Sequence, residues 1–212
     1  MLEKIGTEYY EKLSSPNSLF LEYIEKLIIG TNKISIAEIG IGIGATTQAA
    51  FQLLRDSDLY YLFDYSDKVD ELYVELKNKY SHGPQILSIG NSRSMFDNYV
   101  WSLYNLSVKC EAVFDLVLLD GAHDYTMDLA ACALLIGLLK PNGFLILDDI
   151  YLSIGTIMKH NSLKMSELSN LYSGSQMSAF QMKMICESFL NKQPSLRRIT
   201  TTDGSQAVYC KK

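Results

Sequence analysis

The sequence predicts an α/β fold, an open and mostly parallel sheet covered by helices on both faces. Three observations carry that expectation. From residue 34 to residue 147, short β-prone runs alternate with segments whose apolar residues recur at helical spacing. Three of the runs end at acidic residues: Asp64, Asp120 and the pair Asp148-Asp149. The chain then closes on two β-prone stretches joined by the turn pair Asp203-Gly204, the pattern of an antiparallel hairpin.

The elements follow in order. Leu19, Phe20, Tyr23, Ile24, Leu27 and Ile28 form one helical face that Gly30 can end, so residues 1–30 are expected to be a helical extension ahead of a domain spanning 31–212. The run 34–39 is the first strand, and a glycine-rich turn from Gly40 to Gly44 leads into a helix over 46–54. A second strand covers 59–63, and Val69, Leu72, Tyr73 and Leu76 set the rhythm of a helix over 68–80. The third strand is 84–89, with a less regular helix over 95–106. Strand 113–119 precedes a strongly apolar helix over 127–139, after which Pro141-Asn142-Gly143 turns the chain into strand 144–147. Beyond it the pattern weakens, and residues 150–175 are expected to contain a lid or substrate-facing insertion. Helical spacing returns over 177–190, and 195–202 with 206–210 complete seven strands.

With 24 acidic against 19 basic residues, the chain carries a formal charge of -5, which argues against dedicated nucleic-acid binding and favours a small or uncharged partner. Cys110, Cys132, Cys186 and Cys210 show no paired spacing, so neither a zinc knuckle nor a disulfide framework is expected. The opening MLEKIGTEYY lacks the apolar core of a signal peptide, and no run is long and apolar enough to span a bilayer. A cytoplasmic protein without a transmembrane segment is the expectation.

Glu38-Ile39-Gly40-Ile41-Gly42-Ile43-Gly44 places small residues between a strand and a helix. There the backbone can turn tightly and present N–H groups to a ligand without obstruction by a Cβ. Asp64, at the next strand end, is placed to accept hydrogen bonds from ribose hydroxyls. The spacing is G-x-G-x-G rather than the G-x-G-x-x-G of dinucleotide-binding folds, which lowers the reading of a nucleotide-dependent oxidoreductase.

The segment resembles the nucleotide-binding motif of class I S-adenosylmethionine-dependent methyltransferases, and the order of elements extends the resemblance over about residues 34 to 210. It implies a Rossmann-like sheet and S-adenosylmethionine as cofactor. Glu38, Gly40, Gly42 and Gly44 would surround its methionine part and Asp64 its ribose; Asn91 and Ser92 would lie near the adenine, and Asp120 would border the same site.

Parallel strands bring their carboxyl ends to one edge, so Asp120, Asp148 and Asp149 are expected to converge. Close carboxylates repel unless a proton or cation compensates them, and Mg²⁺ is the economical answer. A hydroxyl bound to that ion would lose its proton more readily. His123, three positions after Asp120, can reach the same mouth, and imidazole suits proton removal near neutral pH. This D-x-x-H arrangement followed by adjacent acids resembles metal-dependent small-molecule O-methyltransferases, especially those acting on sugar hydroxyls of natural products. The resemblance implies Mg²⁺ on Asp120, Asp148 and Asp149, with His123 accepting the substrate proton. Asp148 stands where Glu is sometimes found in such enzymes. N-methylation and an inactive cofactor-binding interaction module are the alternatives. Tyr9, Tyr10, Tyr125, Tyr151 and Tyr172 are candidates to line a small-molecule pocket, His82 and His160 are expected in surface or loop positions, and aromatic residues near the amino terminus suit a homo-oligomer.

Overall fold

All five residues of the strand Ser35–Ile39, here β1, are buried, as a strand covered on both sides requires. The computed structural model describes residues 15–94, 96–156, 170–199 and 204–212. In it β1 is the third strand across a seven-stranded sheet with β2 (Leu59–Tyr65), β3 (Gln85–Asn91), β4 (Phe114–Leu119), β5 (Leu139–Leu147), β6 (Leu196–Ile199) and β7 (Ala207–Lys211). The strand order is β3-β2-β1-β4-β5-β7-β6. β1 to β5 are mutually parallel, and β7 runs antiparallel to both β5 and β6, the closing hairpin expected from the sequence. The order reverses between β1 and β4, the place where open α/β sheets hold ligands beyond their carboxyl ends.

Successive β4 residues divide between two cores, because side chains alternate across a sheet. Leu116 and Leu118 join Ile36, Tyr60, Leu62 and Ile146 beneath α1 (Ser18–Gly30), α2 (Ala45–Leu53) and α3 (Ser66–Lys79), which supply Phe20, Ile24, Phe51, Leu72 and Leu76. Val117 and Leu119 face the other way, with Ala37, Phe63, Leu145 and Leu147. That side is covered by α4 (Tyr99–Ser107), α5 (Tyr125–Leu138) and, beyond the short α6 (Gly174–Ser178), α7 (Gln181–Ser188), through Leu103, Leu135 and Ile185. Each fully buried side chain of this size contributes about 1.5–3 kcal/mol.

Three elements differ from expectation. β5 begins at Leu139 directly after α5, and its pairing steps from Phe114↔Leu139 to Leu116↔Phe144, so Pro141-Asn142-Gly143 form a bulge inside the strand instead of a turn before it. Asn142 takes φ 63, and a Cβ on Gly143 would lie 2.9 Å from the Phe114 carbonyl oxygen. The single helix expected over 177–190 is broken at extended Ala179 into α6, α7 and a 3₁₀ turn, Leu190–Lys192. Buried Gln181 explains the break: its amide accepts from the Tyr125 N–H (2.6 Å) and donates to the Gln176 carbonyl (2.9 Å), tying the start of α7 to α5. The helix expected from residue 95 starts at Tyr99, where Asn98 caps it.

Tyr9, Tyr10, His160, residues 157–169 of the expected insertion and residues 200–203 of the hairpin lie outside the described residues. Among the described residues no helix is long and apolar enough to cross a membrane, and all four cysteines are unpaired.

Candidate active site

The glycine turn is where three strand ends are tied together. The Gly40 N–H donates to the Phe63 carbonyl and the Asp120 N–H to the Ile39 carbonyl, both at 2.9 Å. The Ile41 N–H donates to Asp64 Oδ2 at 3.0 Å, while Asp64 Oδ1 accepts from the Tyr65 N–H at 2.7 Å. Gly40 has φ 85, and a Cβ there would fall 1.9 Å from the Asp120 carbonyl oxygen. Gly42, at φ 51, would find nothing within 4 Å of a Cβ, so the turn is uncovered on that side. Gly44, with φ 78, caps α2, whose unbonded N–H groups open towards the turn. Glu38 lies buried below, accepting hydrogen bonds from the Tyr60 hydroxyl and from Thr47 Oγ1 (2.8 Å). Withdrawal from water pushes its pKa up to about 8, against the pull of those two bonds.

At the end of β3, Asn91 is buried and donates to the Ser92 and Asp97 carbonyls (3.1 and 3.2 Å). Asp97 accepts from the Ser92 N–H at 2.6 Å, and its hydrogen bonding with Ser92 holds the carboxyl below its ordinary range. The two residues assigned to the adenine side thus form one organised loop with Asp97, which sequence reasoning missed.

The acids beyond β4 and β5 divide into two groups. Asp120, His123 and Asp149 each present a donor atom within 4.8 Å of the others. His123 Nε2 stands 3.6 Å from Asp120 Oδ1 and 3.7 Å from Asp149 Oδ2. Asp148 points elsewhere: its Oδ2 accepts from Asn17 Nδ2 (2.9 Å), and its Oδ1 from Gln206 Nε2 (2.8 Å) and the Asp149 N–H (2.9 Å). Its two amide partners come from opposite ends of the chain, and no local pattern marks either. Loss of hydration and the neighbouring charges of Asp148 and Asp149 raise the Asp120 carboxyl well above its ordinary pKa. Asp149 is raised by burial and by Asp148, against the pull of His123. His123 (φ 57) and Asp149 (φ 51) both hold the left-handed conformation that residues with a Cβ rarely take.

A buried brace holds the loop that carries Asp120 and His123. The Tyr99 hydroxyl accepts from the Ala122 N–H (3.2 Å) and donates to Asp128, whose other oxygen accepts from the Asp124 N–H (3.1 Å). Burial lifts the Asp128 pKa to about 6. A fully buried acid in the otherwise apolar run of α5 is the signal that could have revealed this brace. Tyr99→Phe is expected to cost about 1–3 kcal/mol, because it orphans the Ala122 N–H and one Asp128 oxygen. Urea unfolding measures the loss, and hydrogen exchange should quicken at Ala122 and Asp124; unchanged exchange there would reject the bracing role.

Of the candidate tyrosines that are described, Tyr172 has its pKa raised by burial and by the neighbouring Asp124, Tyr151 packs edge-on against Phe180, and the Tyr125 hydroxyl meets Ser188. His82 is exposed beside Asp56.

A search of curated proteins gives no match. Among solved structures, the chain is similar to an O-methyltransferase from Bacillus cereus in complex with SAH: 13% identity, TM-score 0.60, covering 94% of this chain and 83% of that one. It is also similar to a putative caffeoyl-CoA O-methyltransferase from Staphylococcus aureus (18%, TM-score 0.58, 99% and 93%). A putative rRNA-methylase from Clostridium thermocellum is a further neighbour (14%, TM-score 0.56, 93% and 94%). At such identities these likenesses carry the fold alone, and their differing acceptors show that fold does not choose the substrate. The family model described as a methyltransferase domain matches residues 37–150, more than half of the chain, from within β1 to just past the paired acids. The chain therefore belongs to the methyltransferase-domain family, built on the class I S-adenosylmethionine-dependent architecture.

Proposed function

We propose that the chain transfers a methyl group from S-adenosylmethionine to a hydroxyl of a small molecule, with a divalent cation assisting at the acidic mouth. The observation that carries this reading is the junction at Gly40, where one turn ties Asp64 to the Asp120 strand end and leaves Gly42 uncovered. Asp64 keeps lone pairs for ribose hydroxyls, and the N-terminus of α2 suits the donor's carboxylate. We assign the loop of Asn91, Ser92 and Asp97 to the adenine. The SAH complex of the Bacillus cereus relative supports the choice of donor, and the caffeoyl-CoA enzyme that of a hydroxyl acceptor. The acids at the mouth would repel the phosphates of a nucleic acid, which favours a small acceptor; a sugar ring of a natural product is the form we infer from the D-x-x-H pattern. A cytoplasmic setting, self-association, and residues 1–30 as a helical extension ahead of a domain spanning 31–212 belong to the same proposal.

The donor set at the mouth fits a cation. Asp120 and Asp149 crowd each other's charge beside a buried imidazole nitrogen that has no hydrogen-bond partner among the described residues. The sequence places Asp148 with them. A divalent ion there would supply Lewis-acid polarisation of the acceptor oxygen. The protein's own part is to align acceptor and donor in line and to exclude water. The lone pair of His123 Nε2 has two uses, taking the hydroxyl proton or joining the acids around the ion, and it serves one of them at a time.

Calorimetry with S-adenosylmethionine should show binding with or without chelator. Transfer of a labelled methyl group to candidate hydroxyl compounds should fall at least about tenfold on metal removal and return when metal is restored. Full transfer after verified removal would overturn metal assistance, and failure to bind the donor would overturn the whole reading.

A further inference from the structure

We infer that His123 is itself a metal ligand, forming with Asp120 and Asp149 a mixed nitrogen and oxygen site that takes a transition-metal dication such as Mn²⁺ in preference to Mg²⁺. Asp148 then positions the site and does not ligate. The inference rests on the proposed cation at the acidic mouth and changes both its ligands and its identity.

The tautomer of His123 is set by its neighbour. Nδ1 lies 3.0 Å from the Gly121 carbonyl oxygen, which can only accept, so Nδ1 carries a hydrogen and Nε2 is the nitrogen left to ligate. That atom is buried and has no hydrogen-bond partner among the described residues, in a residue only 8% exposed. It is aimed at Asp120 Oδ1 and Asp149 Oδ2, at 3.6 and 3.7 Å. Both separations exceed hydrogen-bond distance. The carboxylates crowded beside that nitrogen repel one another without a cation.

One ion removes the conflict. With metal–ligand distances of about 2.1 Å, two donors up to about 4.2 Å apart can share it, and both separations from Nε2 fall inside that limit. His123 and Asp149 also hold left-handed backbone angles that bring these donors together. The two oxygens of Asp148 are already engaged by side-chain amides from Asn17 and Gln206, the pattern of a group that orients its neighbours. Imidazole in the ligand set suits Mn²⁺, Fe²⁺, Co²⁺ or Zn²⁺, whereas Mg²⁺ prefers oxygen donors and retained waters.

The test uses the full chain, freed of metal by chelation and loaded with Mn²⁺. Pulsed electron paramagnetic resonance of the bound ion should show modulation from a directly coordinated ¹⁴N nucleus in the wild type. Asp148→Asn should keep that modulation. His123→Ala should lose it and weaken Mn²⁺ binding at least about tenfold, with a melting curve confirming that the variant is folded; the wild-type spectrum decides even if it is not. Mg²⁺ should displace Mn²⁺ only in large excess. Mn²⁺ bound without ¹⁴N modulation, or modulation that survives His123→Ala, would overturn the ligand assignment and leave an all-carboxylate site standing. Absence of any Mn²⁺ binding at millimolar concentration would overturn the proposed cation together with it.

Discussion

Gly40→Ala is expected to destabilise the protein by more than about 3 kcal/mol, whereas Gly42→Ala, two residues on in the same turn, should cost only about 1 kcal/mol. At Gly40 the new Cβ would sit 1.9 Å from the carbonyl oxygen of Asp120 and 2.7 Å from its carbonyl carbon. Those are backbone atoms at the end of a buried strand, held by the bond from the Asp120 N–H to the Ile39 carbonyl, so no side-chain rotation relieves the clash. β1 and β4 would have to part at the switch point. At Gly42 the space is open and the cost is the left-handed φ alone. For a chain of this size about 1 kcal/mol corresponds to roughly 2–4 °C, so thermal melts should separate the two variants clearly. Donor affinity should show the reverse pattern in the variant that stays folded: the methyl of Gly42→Ala enters the space proposed for the cofactor, and calorimetry should find binding weakened about tenfold or more. A Gly42→Ala protein that binds S-adenosylmethionine normally would remove the turn from the donor site. A Gly40→Ala protein as stable as the wild type would contradict the packing of Gly40 on Asp120.

The contrast marks what the sequence can reveal. Strand ends and the turn between them are local, so Asp64, Asp120 and the glycine spacing were legible: a short apolar run stops at a polar residue, and parallel strands gather such ends at one edge. The alternation of Leu116 to Leu119 between the two faces follows from the same period of two. What was not legible depends on partners far apart in the chain. Asn17 reaches Asp148 across 131 positions and also donates its N–H to Thr46 Oγ1, linking the start of α1 to the turn and to the acids. Tyr60 is the second residue of β2's predicted run, without any sign that its hydroxyl would meet Glu38 on the neighbouring strand. Asp148 and Asp149 look equivalent as neighbours in sequence, yet Asp149 takes φ 51 and the two send their carboxylates to different partners. Backbone angles outside glycine carry no signature in composition, and that is why the grouping of Asp149 with His123 needed coordinates.

Glu38 supplies the second large effect, through pH. Its carboxyl titrates at about 8 in the folded chain against 4.5 for an ordinary glutamate, because burial opposes its charge more than Tyr60 and Thr47 favour it. The folded state therefore binds this proton more tightly than the unfolded state does. Its stabilising contribution is complete below pH 4.5 and is lost as pH rises through about 8, with a slope approaching about 1.4 kcal/mol per pH unit between the two values. Glu38→Gln is a neutral isostere whose oxygen can still accept from Thr47 and Tyr60, so it should escape that loss. Asp120 and Asp149 are also raised, and the wild-type curve contains their contributions, but the difference between wild type and Glu38→Gln isolates residue 38. Urea unfolding at several pH values between 5 and 8 should show the variant gaining on the wild type by an amount on the order of a few kcal/mol at the upper end; parallel curves would reject a protonated Glu38. The proposed donor site adds a second readout. A cationic donor bound near Glu38 favours the carboxylate, so binding near pH 7 should release protons from the wild type. Calorimetry in two buffers of different ionisation enthalpy measures that release, and it should shrink in Glu38→Gln; equal release from both proteins would place the donor's charge away from Glu38.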